Sequence, residues 1–282
     1  MNPPAPNIPQ LTGVRAIAAT MVMLQHLDQN HGNILVRYFG PVGDGYLGVD
    51  IFFVLSGFIL AHVYGHSAGS DAQAYGRFLW RRFARIYPMH IATLVLMILV
   101  FGRHERWDAS SAADIFRHFF LLQAWSAELS WNVPSWSISA EWAAYLVYPA
   151  VAAIVLAPRN AAAGAILAIG LLVAFHVAQI NGGGWTGWPA ALRIATEFTL
   201  GVLMFRAARL IQPSLLSDIV ACVAFCAVFI APVQALKIVA IAIMIPAVAT
   251  SAGAAMRLLS STALVTLGAA SYSQYMIHFP LI

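Results

Sequence analysis

Residues 45–65 read GYLGVDIFFVLSGFILAHVYG, and this run decides the solvent in which the chain folds. Asp50 is its one acidic residue, and it holds no lysine or arginine. Such a run, at a rise of about 1.5 Å per residue, matches a hydrocarbon core about 30 Å thick. Backbone amides in hydrocarbon must be satisfied within their own segment, so the run is a helix. The pattern recurs outward in both directions. Apolar stretches bounded by Gly, Pro and Arg predict spans at about 11–28, 45–65, 86–102, 136–157, 161–180, 193–211, 218–233, 236–252 and 263–282. Composition agrees: 61% of the 282 residues are hydrophobic and 9% are charged, against about 25% charged in soluble domains. Lipid must coat most of this surface. The expected fold is all-α: a polytopic transmembrane bundle of nine to ten spans.

The stretch Phe116–Ala127 is also apolar, but it is short for a crossing. Charge arbitrates its role. With an inside N-terminus and 116–127 dipping without crossing, Arg15, Arg77, Arg81, Arg82, Arg85, Arg159, Arg206, Arg209 and Arg257 lie inside, nine cations against six. If 116–127 crosses, the split becomes seven inside and eight outside. The excess of cations on cytoplasmic loops favours nine spans, a dipping segment and a cytoplasmic N-terminus.

Met1–Gln10 carries no basic residue and lacks the cleavage signature of a signal peptide, so the first apolar segment is expected to be retained as an anchor. The last residues, Ser271–Ile282, stop inside an apolar segment, as in a truncated or short version of a longer protein. Cys222 and Cys226 form a C-x3-C pair in an apolar run, read as buried free thiols because the spacing makes no zinc site. The formal charge is +4. Its cations sit at the ends of apolar runs and form no stripe with stacking aromatics, which argues against nucleic acid as a partner.

Polar residues inside spans are the candidates for function. Arg15 and His26 on the first span are eleven residues apart. That is close to three turns, so they share a face about 16 Å apart along the axis. A snorkelling arginine and an interfacial histidine are the plain alternatives. Arg77, Arg81, Arg82 and Arg85 in RFLWRRFARIYP precede the third span, and the i, i+4, i+8 spacing expects Arg77, Arg81 and Arg85 on one helical face with Arg82 beside it. They read either as a topology determinant against anionic lipid or as a phosphate cradle.

Asn132, Trp136, Ser137 and Glu141 in WNVPSWSISAEW form the third group. A carboxylate at Glu141 is expensive unless paired, protonated or wet, and so is either a structural hydrogen bond or a general acid or base. Asp50, opening the second span, is read as structural at the helix N-terminus or as orienting the His26 ring. Ser56-Gly57 reads as close helix packing, and Arg193 with Glu197 as an intrahelical pair. His62, His90 and His176 read as packing or interface residues. His31, His66, His104 and His118 fall in or beside loops, and His278 is left open between a packing residue and one near the site.

Five blocks, in order, carry a resemblance: NIPQLTGVRAIAATMVMLQH (7–26), GYLGVDIFFVLSGFIL (45–60), RRFARIYP (81–88), NVPSWSISAEW (132–142) and SYSQYMIHFPLI (271–282). Together the chain resembles the acyltransferase-3 family of bacterial membrane O-acyltransferases, as one transmembrane acyltransferase domain over 1–282. That resemblance implies transfer of acetyl or another short acyl group from acyl-CoA to a hydroxyl, in the bacterial cytoplasmic membrane. The family's acceptors include O-antigen, peptidoglycan, exopolysaccharide, Nod factors and macrolide sugars. Its Arg-x10-His motif falls on Arg15 and His26, its Arg-x-x-Arg motif on Arg82 and Arg85, and its Trp-Ser-x-x-x-Glu block on Trp136, Ser137 and Glu141.

The expected partners are membrane lipid and a glycan or glycolipid acceptor; the oligomeric state is not legible. In the expected mechanism Arg15, Arg82 and Arg85 hold the donor's phosphates at the inner face, and its arm runs up the first span to His26. His26 serves as base or acyl relay, with Glu141 and Asp50 beside it and Asn132, Trp136 and Ser137 shaping the site. No metal is called for. The rival classes are a proton-coupled transporter or flippase using His26, Asp50 and Glu141 as a relay, a structural subunit, and a membrane acyltransferase of the His/Asn type.

Overall fold

In lipid, the apolar runs close their backbone hydrogen bonds as helices. The computed structural model describes residues 7–101, 109–126, 131–157, 161–184, 186–212, 214–251 and 253–282. These are all-helical: α1 Pro9–Asn30, α2 Ile34–Tyr38, α3 Leu47–Tyr64, α4 Ala72–Phe101, α5 Ala109–Phe119, α6 Ser135–Val155, α7 Ala161–Ile180, α8 Trp188–Ala208, α9 Leu215–Ile230, α10 Gln234–Thr250, α11 Ala254–Leu259 and α12 Thr262–Leu281. Among the described residues, nine helices have 16 to 30 residues and fall on the nine expected spans. Four of them, α3, α4, α6 and α7, are long and apolar enough to cross a membrane by length and composition alone. Arg159 and His104 lie outside the described residues.

The four prolines within the expected spans, Pro88, Pro149, Pro246 and Pro280, do lie inside helices. A spanning helix tolerates the lost bond because neighbouring groups re-satisfy the freed carbonyl. Two expectations are corrected. The helix α4 starts at Ala72, not residue 86, and the arginine cluster belongs to the spanning helix itself. Its start is capped by Asp71, whose Oδ1 accepts from the Ala74 amide at 2.7 Å. That amide holds the exposed Asp71 carboxyl below the usual carboxylate range. Finally, Cys222 and Cys226 are exposed on the outer face of α9 rather than buried.

Small residues let the helices approach closely. A side chain at Gly48 in α3 would strike the Ala18 carbonyl of α1, and one at Gly268 in α12 the Thr12 carbonyl of α1. Gly57 of α3 and Gly201 of α8 meet the partner backbone at Phe198 and Val54.

These contacts also fix directions. On α1 and α12, Thr12 lies at Gly268, Met23 at Gln274 and His26 at His278, so the two helices run parallel. The helix α8 runs parallel to α3, from Arg193 against Asp50 to Phe205 against Phe58 and His62. The helices α4 and α6 are antiparallel, with Tyr75 bonded to the Leu146 carbonyl and Phe83 against Trp142. Parallel first and last helices are what nine alternating crossings require; a crossing by α5 would reverse α12. The end of α5 meets α4, where His90 bonds the His118 carbonyl and Tyr87 the Phe119 carbonyl, and Gln123 then bonds the Ser135 carbonyl at the head of α6.

Candidate active site

A cavity of about 230 Å³ runs between α1, α3, α4, α6 and α12. Arg15 enters it from α1, and Arg82 and Arg85 enter from α4. The i, i+3 spacing on α4 turns these two inward together. Arg77 and Arg81 do not line it, which corrects the expected grouping of Arg77, Arg81 and Arg85; Arg82 is half-buried and Arg85 stays exposed at the cavity's edge. The expected arginine triad is therefore assembled.

Tyr64 positions Arg82: Nη2 donates to the Tyr64 hydroxyl at 3.0 Å, and the guanidinium lies 5.3 Å from the Tyr64 ring centroid. Among the described residues the buried Arg82 Nε finds no acceptor. An unsatisfied guanidinium donor beside two further cations is chemically suited to an anion.

Glu141 stands in the same cavity. Its Oε1 accepts from Ser56 Oγ at 2.8 Å and from Tyr145 Oη at 2.5 Å. Tyr145 lies one turn on along α6, so both face the cavity. The expected place of Glu141 beside His26 is corrected: the carboxylate belongs with the arginines. Ser56, read as packing, is its donor, while Gly57 does pack as expected.

The cavity is closed at the other end by Ser137 and Tyr275, whose hydroxyls lie 2.8 Å apart. Both also bond the Pro134 carbonyl, at 2.9 and 3.1 Å. Asn132 Nδ2 donates to the Met276 carbonyl at 3.0 Å. The NVPSWS segment thus clasps the last turns of α12. On the far side of Tyr275 lies His26, half-buried, with Nδ1 2.9 Å from His278 Nε2 and Phe279 edge-on at 5.7 Å. His26 is not itself a lining residue of the cavity; Tyr275 and His278 connect the two.

Asp50 does not reach His26. Its Oδ1 pairs with Arg193, whose Nε donates at 2.7 Å, and its Oδ2 accepts from Gln234 at 2.6 Å. The cause is helical phase. Gly48 faces α1, and two residues further turn the side chain by about 200°, away from α1 towards α8 and α10. Arg193 also holds Glu197 at 3.3 Å, the pair expected from spacing, and lies 5.6 Å from the Trp136 ring centroid. Asp50 and Trp136 therefore meet in a buried network separate from the imidazoles.

Sequence reasoning missed Tyr145, Tyr275, Gln234 and the tertiary role of Arg193. Tyr145 had a signal in its i, i+4 spacing from Glu141, and His278 in its closing block. Tyr275 and Gln234 had none, because their roles arise only from packing between distant helices.

An all-helical bundle with several long apolar helices around a cavity lined by three arginines defines a multi-pass membrane protein. The chain belongs to the acyltransferase-3 family: the family's acyltransferase domain matches residues 8–282. It is 29% identical to "Acyltransferase MdmB" of Streptomyces mycarofaciens, over 100% of this chain and 81% of that one. It is 32% identical to a "Putative peptidoglycan O-acetyltransferase YrhL" of Bacillus subtilis, over 50% of this chain and 23% of that one. It is 28% identical to "Peptidoglycan O-acetyltransferase OatA" of Listeria monocytogenes, over 51% and 24% respectively. The chain thus spans about a quarter of those two acetyltransferases. No solved structure matches. The protein is a multi-pass membrane acyltransferase, and acyl transfer implies an acyl donor.

Proposed function

We propose that the protein transfers an acyl group, acetyl foremost, from a coenzyme A thioester to a hydroxyl of a carbohydrate-containing acceptor. We place it in a bacterial cytoplasmic membrane with the Arg15 end facing the cytoplasm. The observation that carries this reading is the cavity: Arg15, Arg82 and Arg85 at one end, and Ser137 and Tyr275 against the histidine pair at the other. Three arginines against one carboxylate suit a diphosphate. A volume of about 230 Å³ is small for a whole ligand site, and fits a slot for an extended thioester arm. The names of the two peptidoglycan O-acetyltransferases support acetyl as the group and a glycan as the acceptor.

In this reading His26 takes the proton from the acceptor hydroxyl as its oxygen attacks the thioester carbonyl. The C–S bond breaks, the ester forms, and the thiolate recovers the proton from His26. Transfer would be assayed in lipid nanodiscs with radiolabelled acetyl-CoA and candidate glycans. His26→Ala is expected to lower kcat by about 100-fold or more while the folded yield holds. The pair Arg82→Ala and Arg85→Ala is expected to raise the donor KM at least tenfold and leave the acceptor KM alone. Full activity in His26→Ala would remove this histidine from the mechanism.

A further inference from the structure

The closing block of the chain ends in a histidine whose two ring nitrogens are both engaged. His278 Nδ1 lies 2.8 Å from the backbone carbonyl of Tyr275. A carbonyl only accepts, so His278 Nδ1 carries a hydrogen. In the neutral ring the other nitrogen, Nε2, is then a bare acceptor. That nitrogen is 2.9 Å from His26 Nδ1. The two ring planes lie within 14°, with centroids 5.2 Å apart, which is the N···N distance lengthened by the two ring radii. The contact is thus an in-plane hydrogen bond along the lone pair, not a face-to-face stack.

Only one proton arrangement satisfies both contacts with neutral rings. His26 Nδ1 must donate, so His26 Nε2 is left without a hydrogen. A pair carrying an additional proton would place a net charge in a largely desolvated position. We infer that His278 is the positioning residue that fixes His26 as its Nδ1–H tautomer and presents His26 Nε2 as the proton acceptor.

The Tyr275 carbonyl, through His278, does for His26 what a carboxylate does for other catalytic imidazoles. Unlike a carboxylate, it adds no fixed charge. When His26 gains a proton on Nε2, its Nδ1–H bond to His278 becomes charge-assisted and shorter. The carbonyl keeps the His278 hydrogen on Nδ1, so its Nε2 stays turned to His26 as an acceptor and the new charge is shared across the Nδ1–H···Nε2 bond. The device is held in place from three sides. Tyr275 is tied to Ser137 and Pro134, Met276 to Asn132, and Phe279 stands edge-on to His26. This gives the NVPSWS segment a purpose: it clamps the turn of α12 that carries the acceptor.

The inference deepens the proposed base role of His26, and the test separates the two. Protein with ¹⁵N-labelled histidine in lipid bilayers is read by solid-state NMR, with His26 assigned by its loss in His26→Gln. The wild type is expected to show a protonated Nδ1 and a bare Nε2 at His26. His278→Phe keeps a ring but removes the acceptor. It is expected to release His26 into mixed tautomers and to lower kcat about 100-fold, with the donor KM within twofold. His278→Gln offers its amide oxygen to His26 Nδ1, and should restore both the tautomer and kcat to within tenfold of wild type. A protonated Nε2 at His26 in the wild type would overturn the inference. So would an unchanged tautomer or unchanged kcat in His278→Phe. If the tautomer behaves as expected while His26→Ala stays active, the base role fails and the tautomer assignment stands.

Discussion

Asp50, buried, and Glu141, half-buried, are carboxylates that this bundle holds by different means. Asp50 is fully buried and is matched by a cation and an amide, Arg193 and Gln234. Glu141 is held by two hydroxyls, Ser56 and Tyr145, in a cavity that three arginines make positive. Removing one partner of a buried ion pair leaves the other charge stranded, at about 3–5 kcal/mol. Arg193→Met strands both Asp50 and Glu197, and also removes the cation from the Trp136 face. It is expected to lower stability by roughly that amount, read as earlier unfolding in detergent with heat. Glu141→Gln keeps an oxygen for Ser56 and Tyr145, so its unfolding should stay near that of the wild type. Equal losses in the two variants would mean that Glu141 is also structurally essential.

At the scale of the helix, the run that decides the fold also hides part of the site. Residues 45–65 are apolar on every side, so they announce a span but carry no helical phase. Asp50 therefore reads equally well towards α1 or α8, and only the packing of Gly48 on Ala18 turns it to Arg193. Arg15 and His26, by contrast, carry their phase in three turns and were legible from spacing. Arg82 and Arg85 were legible only through the family's Arg-x-x-Arg motif, because the i, i+4, i+8 spacing groups Arg85 with Arg77 and Arg81 instead. His278 was visible as a candidate, but its partner, 252 positions away in sequence, is set by tertiary contact alone. The α3–α8 crossing depends on Gly57 and Gly201, where any side chain meets facing backbone that cannot yield. Gly57→Leu is expected to cost about 3 kcal/mol or more by overpacking, seen as lost folded yield in detergent. Gly76→Leu in α4, with nothing within 4 Å of its added carbon, is the matched control and should fold normally.

For the whole molecule, the parallel run of α1 and α12 carries the topology. A thioester donor and an acceptor on opposite faces need a bundle whose cavity opens at one end and whose base lies towards the other. Arg15 and His26 lie on one uninterrupted helix, and the proposed reaction takes its polarity from that arrangement. The same arrangement also fixes the side of every loop, provided α5 turns back without crossing. His31, just after α1, and Asn181, between α7 and α8, then lie on one face; Ala72 and Leu210 lie on the other. All four are exposed. Single cysteines at these positions, in a background with Cys222→Ala and Cys226→Ala, would be probed in intact cells with a membrane-impermeant maleimide. His31→Cys and Asn181→Cys are expected to label from outside, and Ala72→Cys and Leu210→Cys only after permeabilisation. A crossing by α5 would keep His31 and Ala72 where they are and exchange Asn181 with Leu210. Labelling of Leu210→Cys but not Asn181→Cys in intact cells would therefore reject the nine-crossing bundle, because the parallel contact of His26 with His278 needs both helices to run the same way through the membrane.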